Sequence, residues 1–167
     1  GEQGAAVYTV RSGVVRFERV TERGDRRIVR LAGAGDLIGQ ESVVQRAHGD
    51  DAVACTEVEL CRIPCHLLSE MSAREPALLH EVMSRWQQAL DDAEAWVTDL
   101  TTGPARRRVL RLLLKLSDYT DSQGAIWLPS REDMGAMLDM SVETASRLIS
   151  ALRREEVLQT PGLRTVR

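Results

Sequence analysis

The feature that most constrains the fold is an uninterrupted stretch between Pro76 and Gly103. No glycine or proline lies between these two residues, and proline is well suited to the first turn of a helix. Within the stretch, apolar residues recur at alternating steps of three and four, the a/d pattern of a helix that packs against a second helix. These seam residues are Leu79, Val82, Trp86, Ala89, Ala93, Trp96 and Leu100. The pattern predicts one long helix with a dimerisation seam.

Two arrangements satisfy this seam. A regular repeat with two tryptophans on it favours a parallel homodimer of this chain. In that arrangement a second apolar stripe, formed by Met83, Leu90 and Val97, faces the chain's own domain. The alternative is an intramolecular helix whose seam packs on that domain.

The residues before the helix have the pattern of a β domain. Between Val7 and Pro64, short runs that alternate apolar and polar residues are broken at Gly or Asp, which is typical of an antiparallel sandwich or barrel. The break at Gly24-Asp25 predicts a β-hairpin. Because the few strands of the given chain would leave open sheet edges, we expect further strands before Gly1.

Composition narrows the classes of function. The net charge of the 167 residues is −3, but residues 1–101 carry 11 Arg and 17 acidic residues, whereas residues 102–167 carry 10 Arg and Lys115 against 8 acidic residues. A basic C-terminal part favours a polyanionic partner. No apolar run is long enough for a membrane span, and three cysteines are too few for a disulfide framework, so we expect a reducing, cytoplasmic compartment. No catalytic triad, Cys/His pair or phosphate loop predicts an enzyme.

The last third has the pattern of a helix-turn-helix. Pro104 opens a helix with an apolar face, Ser130 is placed to cap a short helix together with Asp133, and Ser141 is placed to cap a third helix after a tight break. One side of this third helix should pack inward. It holds Ala145, Leu148, Ile149 and Leu152.

The opposite side of the third helix is polar and predicts a DNA-reading surface, although a solvated face is the alternative. A helix fits the major groove, where Arg pairs with guanine and Glu accepts from cytosine. The candidate DNA-binding residues are Ser141, Val142, Glu143, Thr144, Ser146, Arg147, Ser150 and Arg154. Arg106, Arg107 and Arg108 either contact phosphate or are solvated. After the helix, the residues from Val157 onward predict a wing of two strands.

In this order, the three parts resemble the CRP/FNR superfamily of bacterial transcription regulators. The matching segments cover nearly the whole chain: VYTVRSGVVRF, GDRRIVRLAGAGDLIG, ELCRIP, REPALL, RRRVLRLLLKL and LPSREDMGAMLDMSVETASRLISALRR. The resemblance implies an α+β fold with an N-terminal antiparallel β jelly-roll barrel over 1–72, a long dimerisation helix over 73–102 and a winged helix-turn-helix over 103–167. It also implies a homodimer that binds a palindrome in double-stranded DNA and recruits RNA polymerase.

Within the superfamily, the chain is most similar to the fumarate-and-nitrate-reduction type. Glu143, Ser146 and Arg147 match its E-x-x-S-R recognition pattern, and its half-site resembles TTGAT. Two residues depart from the family pattern. Asp139 replaces the usual Gly of the turn, which is tolerable because Asp adopts left-handed conformations more readily than most residues, and Glu156 replaces a Gly before the wing.

The resemblance also suggests effectors to test. Cyclic-nucleotide members need a Gly-Glu pair for the ribose and an Arg followed by Ser or Thr for the phosphate. Here the aligned residues are 39–42, with the sequence GQES, and the phosphate position holds Asp50-Asp51. Two carboxylates repel a cyclic phosphate, so these residues disfavour a cyclic nucleotide.

A metal cofactor is the other possibility, and Cys61 is its candidate ligand. Cys61 matches the central cysteine of the iron–sulfur members, whose other three ligands come from a stretch that would precede Gly1. Four thiolates are needed, so a cluster requires cysteines upstream of Gly1; the alternative is a packed strand thiol. The three histidines are expected to be isolated surface or capping residues rather than haem ligands of the family's gas-sensing members. A regulatory module that acts through protein contacts remains the alternative function.

Overall fold

A computed structural model of the chain describes residues 4–120, 126–159 and 165–166. These residues fall into two compact units. The first comprises Gly1–Arg19 and Arg30–Glu94, and the second comprises Val20–Val29 and Ala95–Arg167. The chain therefore passes from one unit to the other after Arg19, after Val29 and after Glu94.

Two three-stranded sheets form the β domain that the sequence predicts. Their strands are β1 (Ala6–Ser12), β2 (Val15–Val20), β3 (Arg26–Ala32), β4 (Leu37–Ile38), β5 (Asp51–Ala54) and β6 (Glu59–Pro64). The strand orders are β4-β1-β6 and β3-β2-β5. β1 is antiparallel to β4 and β6, and β2 is antiparallel to β5. Apolar side chains of β1, β2 and β3 are buried and form the core of this layer.

Two glycines set the connections between the first strands. Gly13 has a φ of +88°, and a Cβ there would lie 2.1 Å from the Glu57 carbonyl oxygen, so only glycine fits. Gly24, with a φ of +85°, closes the β2–β3 hairpin, in which the Thr21 N–H donates to the Asp25 carbonyl at 2.9 Å. The hairpin predicted at Gly24-Asp25 is confirmed.

Two helices follow the strands: α1 (Cys65–Arg74) and α2 (Pro76–Leu100). Leu68 of α1 packs with Val7 and Leu37, and Val82 of α2 lies against the same cluster. No pattern in the sequence predicted α1. Pro64 precedes it and provides no side-chain cap, so the usual N-terminal signal of a helix is absent.

The long helix is confirmed, but the burial of its apolar residues differs from the predicted arrangement. The second stripe, Met83, Leu90 and Val97, is 59%, 53% and 61% exposed, whereas Trp96 and Leu100 of the predicted seam are only 4% and 1% exposed. The expectation that the second stripe faces the chain's own domain was therefore wrong. Met83, Leu90 and Val97 lie at steps of four and three from the seam positions 79, 86 and 93, so the spacing fits either register.

The second unit contains three helices and a small sheet. These elements are α3 (Ala105–Leu116), α4 (Arg131–Leu138), α5 (Val142–Arg154), β7 (Ile126–Trp127) and β8 (Thr165–Val166). The three helices contact one another around buried side chains such as Leu112, Met134 and Ile149. No helix in the described ranges is long and apolar enough to cross a membrane.

The predicted wing is only partly confirmed. β8 is a strand, but it pairs antiparallel with β7, and residues 157–159 are not a strand. The Val157 and Leu158 N–H groups donate back to the Leu152 carbonyl at 3.0 and 3.3 Å, so they satisfy the end of α5 and are not available to a sheet. The rest of the predicted wing, residues 160–164 and 167, lies outside the described residues.

Candidate DNA-binding surface

The first turn of α5 has the cap that the sequence predicts. The Ser141 Oγ accepts a hydrogen bond from the Thr144 N–H at 3.2 Å. Ala145, Ile149 and Leu152 are buried, as expected, and Leu148 is half-buried. The opposite face points away from this core and is exposed. It consists of Glu143, Ser146, Arg147, Ser150 and Arg154, with Ser141 and Val142 exposed at the start of the helix and Thr144 half-buried.

The charges on this face suit hydrogen bonding to base edges. A backbone hydrogen bond, the Ser141 hydroxyl and the charge of Arg147 lower the pKa of Glu143, so its carboxylate is an acceptor at neutral pH. The Arg147 Nη2 lies 3.5 Å from the Thr144 Oγ1, a long and weak contact. The N-terminal half of α5 therefore presents the Glu143 carboxylate as an acceptor beside the Arg147 guanidinium as a donor.

The turn before α5 is tight and left-handed. Asp139 has φ and ψ of 52° and 55°, and its N–H donates to the Gly135 carbonyl. A Cβ at Gly135 would lie 2.8 Å from the Met140 carbonyl oxygen. Glu156 also has a positive φ, of 60°. Both departures from the family's glycine thus occupy the left-handed conformation that favours glycine.

Two arginines of α3 bind the helix-turn-helix through hydrogen bonds. The Arg108 Nη1 donates to the Leu138 and Asp139 carbonyls and so caps the last turn of α4. Arg106 binds both oxygens of Glu155, at the end of α5, at 3.0 and 2.5 Å. Arg106 and Arg107 are exposed and Arg108 is half-buried, so phosphate contact by these residues stays a prediction. No sequence signal identifies such pairs, because the partners lie 30 or more residues apart.

The Arg106–Glu155 pair should make stability depend on pH. The hydrogen bond from Arg106 lowers the pKa of Glu155 below its usual 4.5. A carboxyl whose pKa is lower in the folded state stabilises the fold above about pH 4.5, and this contribution disappears as the pH falls through the folded pKa. We expect Arg106→Ala to lower the free energy of unfolding at pH 7 and to lose this effect at low pH. Urea titrations of both proteins at pH 7 and pH 3.5 test this. Arg107→Ala is the control, and a deficit of equal size at both pH values would contradict the prediction.

Two more arginines of the second unit contact the helix-turn-helix from the β2–β3 hairpin. The Arg26 Nη2 donates to the Asp133 Oδ1 at 2.7 Å, and the Arg27 Nη2 donates to the Asp139 Oδ1 at 2.6 Å. Asp133 follows the cap residue of α4, and its N–H donates to the Ser130 Oγ at 3.0 Å. The predicted Ser130 cap is present, and the carboxylate of Asp133 binds Arg26.

The first unit contains residues 39–42 and 50–51, which correspond by resemblance to the nucleotide-binding residues of the family. Gln40 and Ser42 are buried in a short 3-10 helix. The His48 Nε2 lies 3.5 Å from the Ser42 Oγ, and its Nδ1 lies 3.6 Å from the Glu41 Oε2. The expectation that His48 is isolated was therefore wrong. His66 and His80 are exposed, as expected.

The phosphate position is acidic and partly neutralised. The Arg19 Nε donates to the Asp50 Oδ1 at 2.6 Å, and this hydrogen bond raises the pKa of Arg19. Asp51 lies on β5 opposite Glu18 and is exposed. The guanidinium of Arg19 is thus bound to the Asp50 carboxylate and is not available to a phosphate unless this pair is broken.

None of the three cysteines is in a disulfide, and the described residues do not assemble a metal site. Cys61 lies on β6 opposite Thr9 and is exposed, so it is not a packed strand thiol, while Cys55 and Cys65 are half-buried. Within the described ranges no three His, Cys, Asp or Glu side chains are grouped to hold a metal ion. Four thiolates for an iron–sulfur cluster are therefore not provided by these residues.

Two family models match the chain. A model of the cyclic nucleotide-binding domain matches residues 1–75, and a model of the Crp-like helix-turn-helix domain matches residues 107–167. A cyclic nucleotide-binding domain followed by a Crp-like helix-turn-helix domain is the domain composition of an effector-responsive regulator.

Curated relatives match over almost the whole chain. The fumarate and nitrate reduction regulatory protein of Vibrio cholerae is 28% identical over 169 residues, which cover 97% of this chain and 67% of that protein. Electron transport regulator A of Shewanella oneidensis is 25% identical, with coverage of 97% and 67%. The chain thus spans about two thirds of the length of these relatives.

Solved structures match as well. FixK2 from Bradyrhizobium japonicum has a TM-score of 0.86 at 27% identity, with 99% of this chain and 83% of that chain covered. The catabolite activator protein of Thermus thermophilus is 30% identical, with a TM-score of 0.51 and coverage of 99% and 77%. Together with the capped reading helix and the left-handed turn before it, these matches show that the chain belongs to the CRP/FNR family of transcription regulators, which are not enzymes.

Proposed function

We propose that the protein is a homodimeric regulator that reads a palindrome of TTGAT-like half-sites with α5. The observation that carries this proposal is the exposed face of α5, on which Glu143, Ser146 and Arg147 lie clear of the core. Carboxylate, hydroxyl and guanidinium groups at one end of a helix are the set that distinguishes bases in the major groove. As in the family, the DNA-bound protein would recruit RNA polymerase, and it would act in the cytoplasm, where a bacterial chromosome lies.

The exposed side of α2 supports the dimer. On a wheel of 100° per residue, five exposed apolar residues fall within about 60° of one another. They are Leu79, Met83, Trp86, Leu90 and Val97. A stripe of this length is unusual on a monomer's surface, and its a/d spacing suits a second copy of the same helix. The proposed seam therefore keeps Leu79 and Trp86 of the predicted set, and it omits the buried Trp96 and Leu100.

We also propose that the effector is not a cyclic nucleotide. Asp50 and Asp51 stand where the family's phosphate-binding pair would be, and the neighbouring Arg19 is bound to Asp50. A cyclic phosphate would have to displace this pair and approach two carboxylates. Cys61 could serve an iron–sulfur cluster only with further thiolates from outside the described residues.

The DNA-binding proposal is tested by fluorescence polarisation. A duplex with two inverted TTGAT half-sites, about one helical turn apart, is compared with a scrambled duplex of equal length over a range of salt concentrations. We expect tighter binding to the palindrome and an affinity that falls steeply with salt, because phosphate contacts release counterions. Equal affinity for both duplexes would contradict sequence-specific reading, and a flat salt dependence would favour a module that acts through protein contacts.

A further inference from the structure

The tip of the β2–β3 hairpin is grouped with the DNA-binding unit, although its strands continue into the β domain. Residues 20–29 cluster with residues 95–167, and the hairpin residues that touch the helix-turn-helix are Arg26 and Arg27. The family models assign this segment to the cyclic nucleotide-binding domain, over residues 1–75. The hairpin tip thus belongs to one domain by sequence and to the other by packing.

The stronger of its two contacts is a buried ion pair. The side chain of Asp133 is 11% exposed and that of Arg26 is 33% exposed, with 2.7 Å between Nη2 and Oδ1. A carboxylate that is buried to this extent needs a charged or hydrogen-bonding partner. Arg26 therefore holds the first turn of α4, where Asp133 lies.

The neighbouring contact holds the other end of α4. Arg27 donates to Asp139, whose side chain is 61% exposed, so this pair is weaker. Asp139 is the left-handed residue between α4 and α5. Two consecutive residues of β3 thus contact the start of α4 and the turn that aims α5.

Hydrogen bonds and a buried residue fix the conformation of the hairpin in this structure. Its turn is closed by hydrogen bonds from the Asp25 N–H to the Thr21 Oγ1 and from the Gly24 N–H to the Thr21 carbonyl, and Ile28 of β3 is buried. An open cleft of about 710 Å³ lies between residues 25–27 and residues 139–143. The support therefore lies beside the end of α5 that carries Glu143, without covering it.

We propose that Arg26, assisted by Arg27, is a positioning residue for DNA reading: it fixes α4 and the turn so that the exposed face of α5 meets the base edges in register. This inference rests on the proposed DNA-binding function. Arg26 does not itself contact DNA in this proposal, because its guanidinium is bound to Asp133.

The test compares Arg26→Ala with the parent protein on the palindromic and scrambled duplexes. Loss of a support outside the interface should weaken binding to the palindrome about 5- to 10-fold, leave binding to the scrambled duplex unchanged and leave the slope of affinity against salt unchanged. A purely structural role would lower both affinities by the same factor, through loss of folded protein. Arg26→Lys should restore most of the preference for the palindrome.

The matched control is Arg23→Ala, which removes the same charge from an exposed position of the same turn. We expect it to bind both duplexes like the parent. An unchanged palindrome preference in Arg26→Ala would overturn the proposal, as would a shallower salt slope, which would mean a direct phosphate contact. If the parent itself shows no preference, the proposed function fails, and amide hydrogen exchange without DNA tests the support. Faster exchange in residues 139–142 of Arg26→Ala would uphold it, and unchanged exchange would overturn it.

Discussion

Trp86→Glu should convert the dimer into a monomer and abolish high-affinity binding to a palindrome. Trp86 is 39% exposed and lies in the middle of the exposed stripe of α2, where a second copy of the helix would pack against it. Burying a carboxylate in an apolar seam without a partner is strongly unfavourable. Light scattering should give twice the chain mass for the parent and the single chain mass for the variant. Because one half-site offers only half of the contacts, palindrome affinity should fall by more than 100-fold.

Ser84→Glu is the control for this substitution. Ser84 is exposed on the same helix, but on a wheel of 100° per residue it lies about 160° from Trp86. We expect this variant to remain a dimer and to bind the palindrome like the parent. An unchanged mass for Trp86→Glu would remove the stripe from the interface, and a monomeric parent would remove the dimer itself.

Arg147→Ala should weaken binding to the palindrome and relax specificity at one base pair of each half-site. A bidentate contact from arginine to a base contributes about 1–3 kcal/mol, and each protomer of the proposed dimer would lose one. The exposed guanidinium of Arg147 makes a long, weak contact with Thr144 at 3.5 Å, so its removal should leave the folded protein intact. Competition binding against duplexes with each position substituted in turn measures both effects.

The informative control here is Arg147→Lys. Lysine keeps the charge but lacks the planar fork that matches a base edge. We expect it to lose specificity at the same base pair while it retains more of the overall affinity than the alanine variant. If Arg147→Ala discriminates among the substituted duplexes as the parent does, then α5 does not read DNA in the proposed way.

Local signals predicted much of the reading surface. Ser130 and Ser141 predict the starts of α4 and α5, because an N-cap needs only a side-chain hydroxyl and the backbone N–H of the residue three positions later. The period of the apolar residues predicts which side of α5 is buried. The left-handed turn at Asp139 was also foreseeable, since few residue types tolerate it. These features depend on neighbours in the sequence.

Other features depend on partners far along the chain, and no local pattern reveals them. The Arg26–Asp133 pair spans 107 residues, and the Arg106–Glu155 pair spans 49 residues. The register of α2 was ambiguous for a different reason. Apolar residues at steps of three and four occur in two registers along α2, and only tertiary packing, as at Val82, Trp96 and Leu100, decides which register is covered.

The division of the chain at Arg19, Val29 and Glu94 has a consequence for anyone who dissects or recombines these proteins. A fragment that begins near residue 95 keeps all three helices of the reading domain but loses the guanidinium groups that hold Asp133 and Asp139. A chimera that joins this reading domain to another sensor inherits a foreign hairpin at the same place. A chimera should therefore retain DNA binding best when residues 20–29 are transferred together with the C-terminal domain.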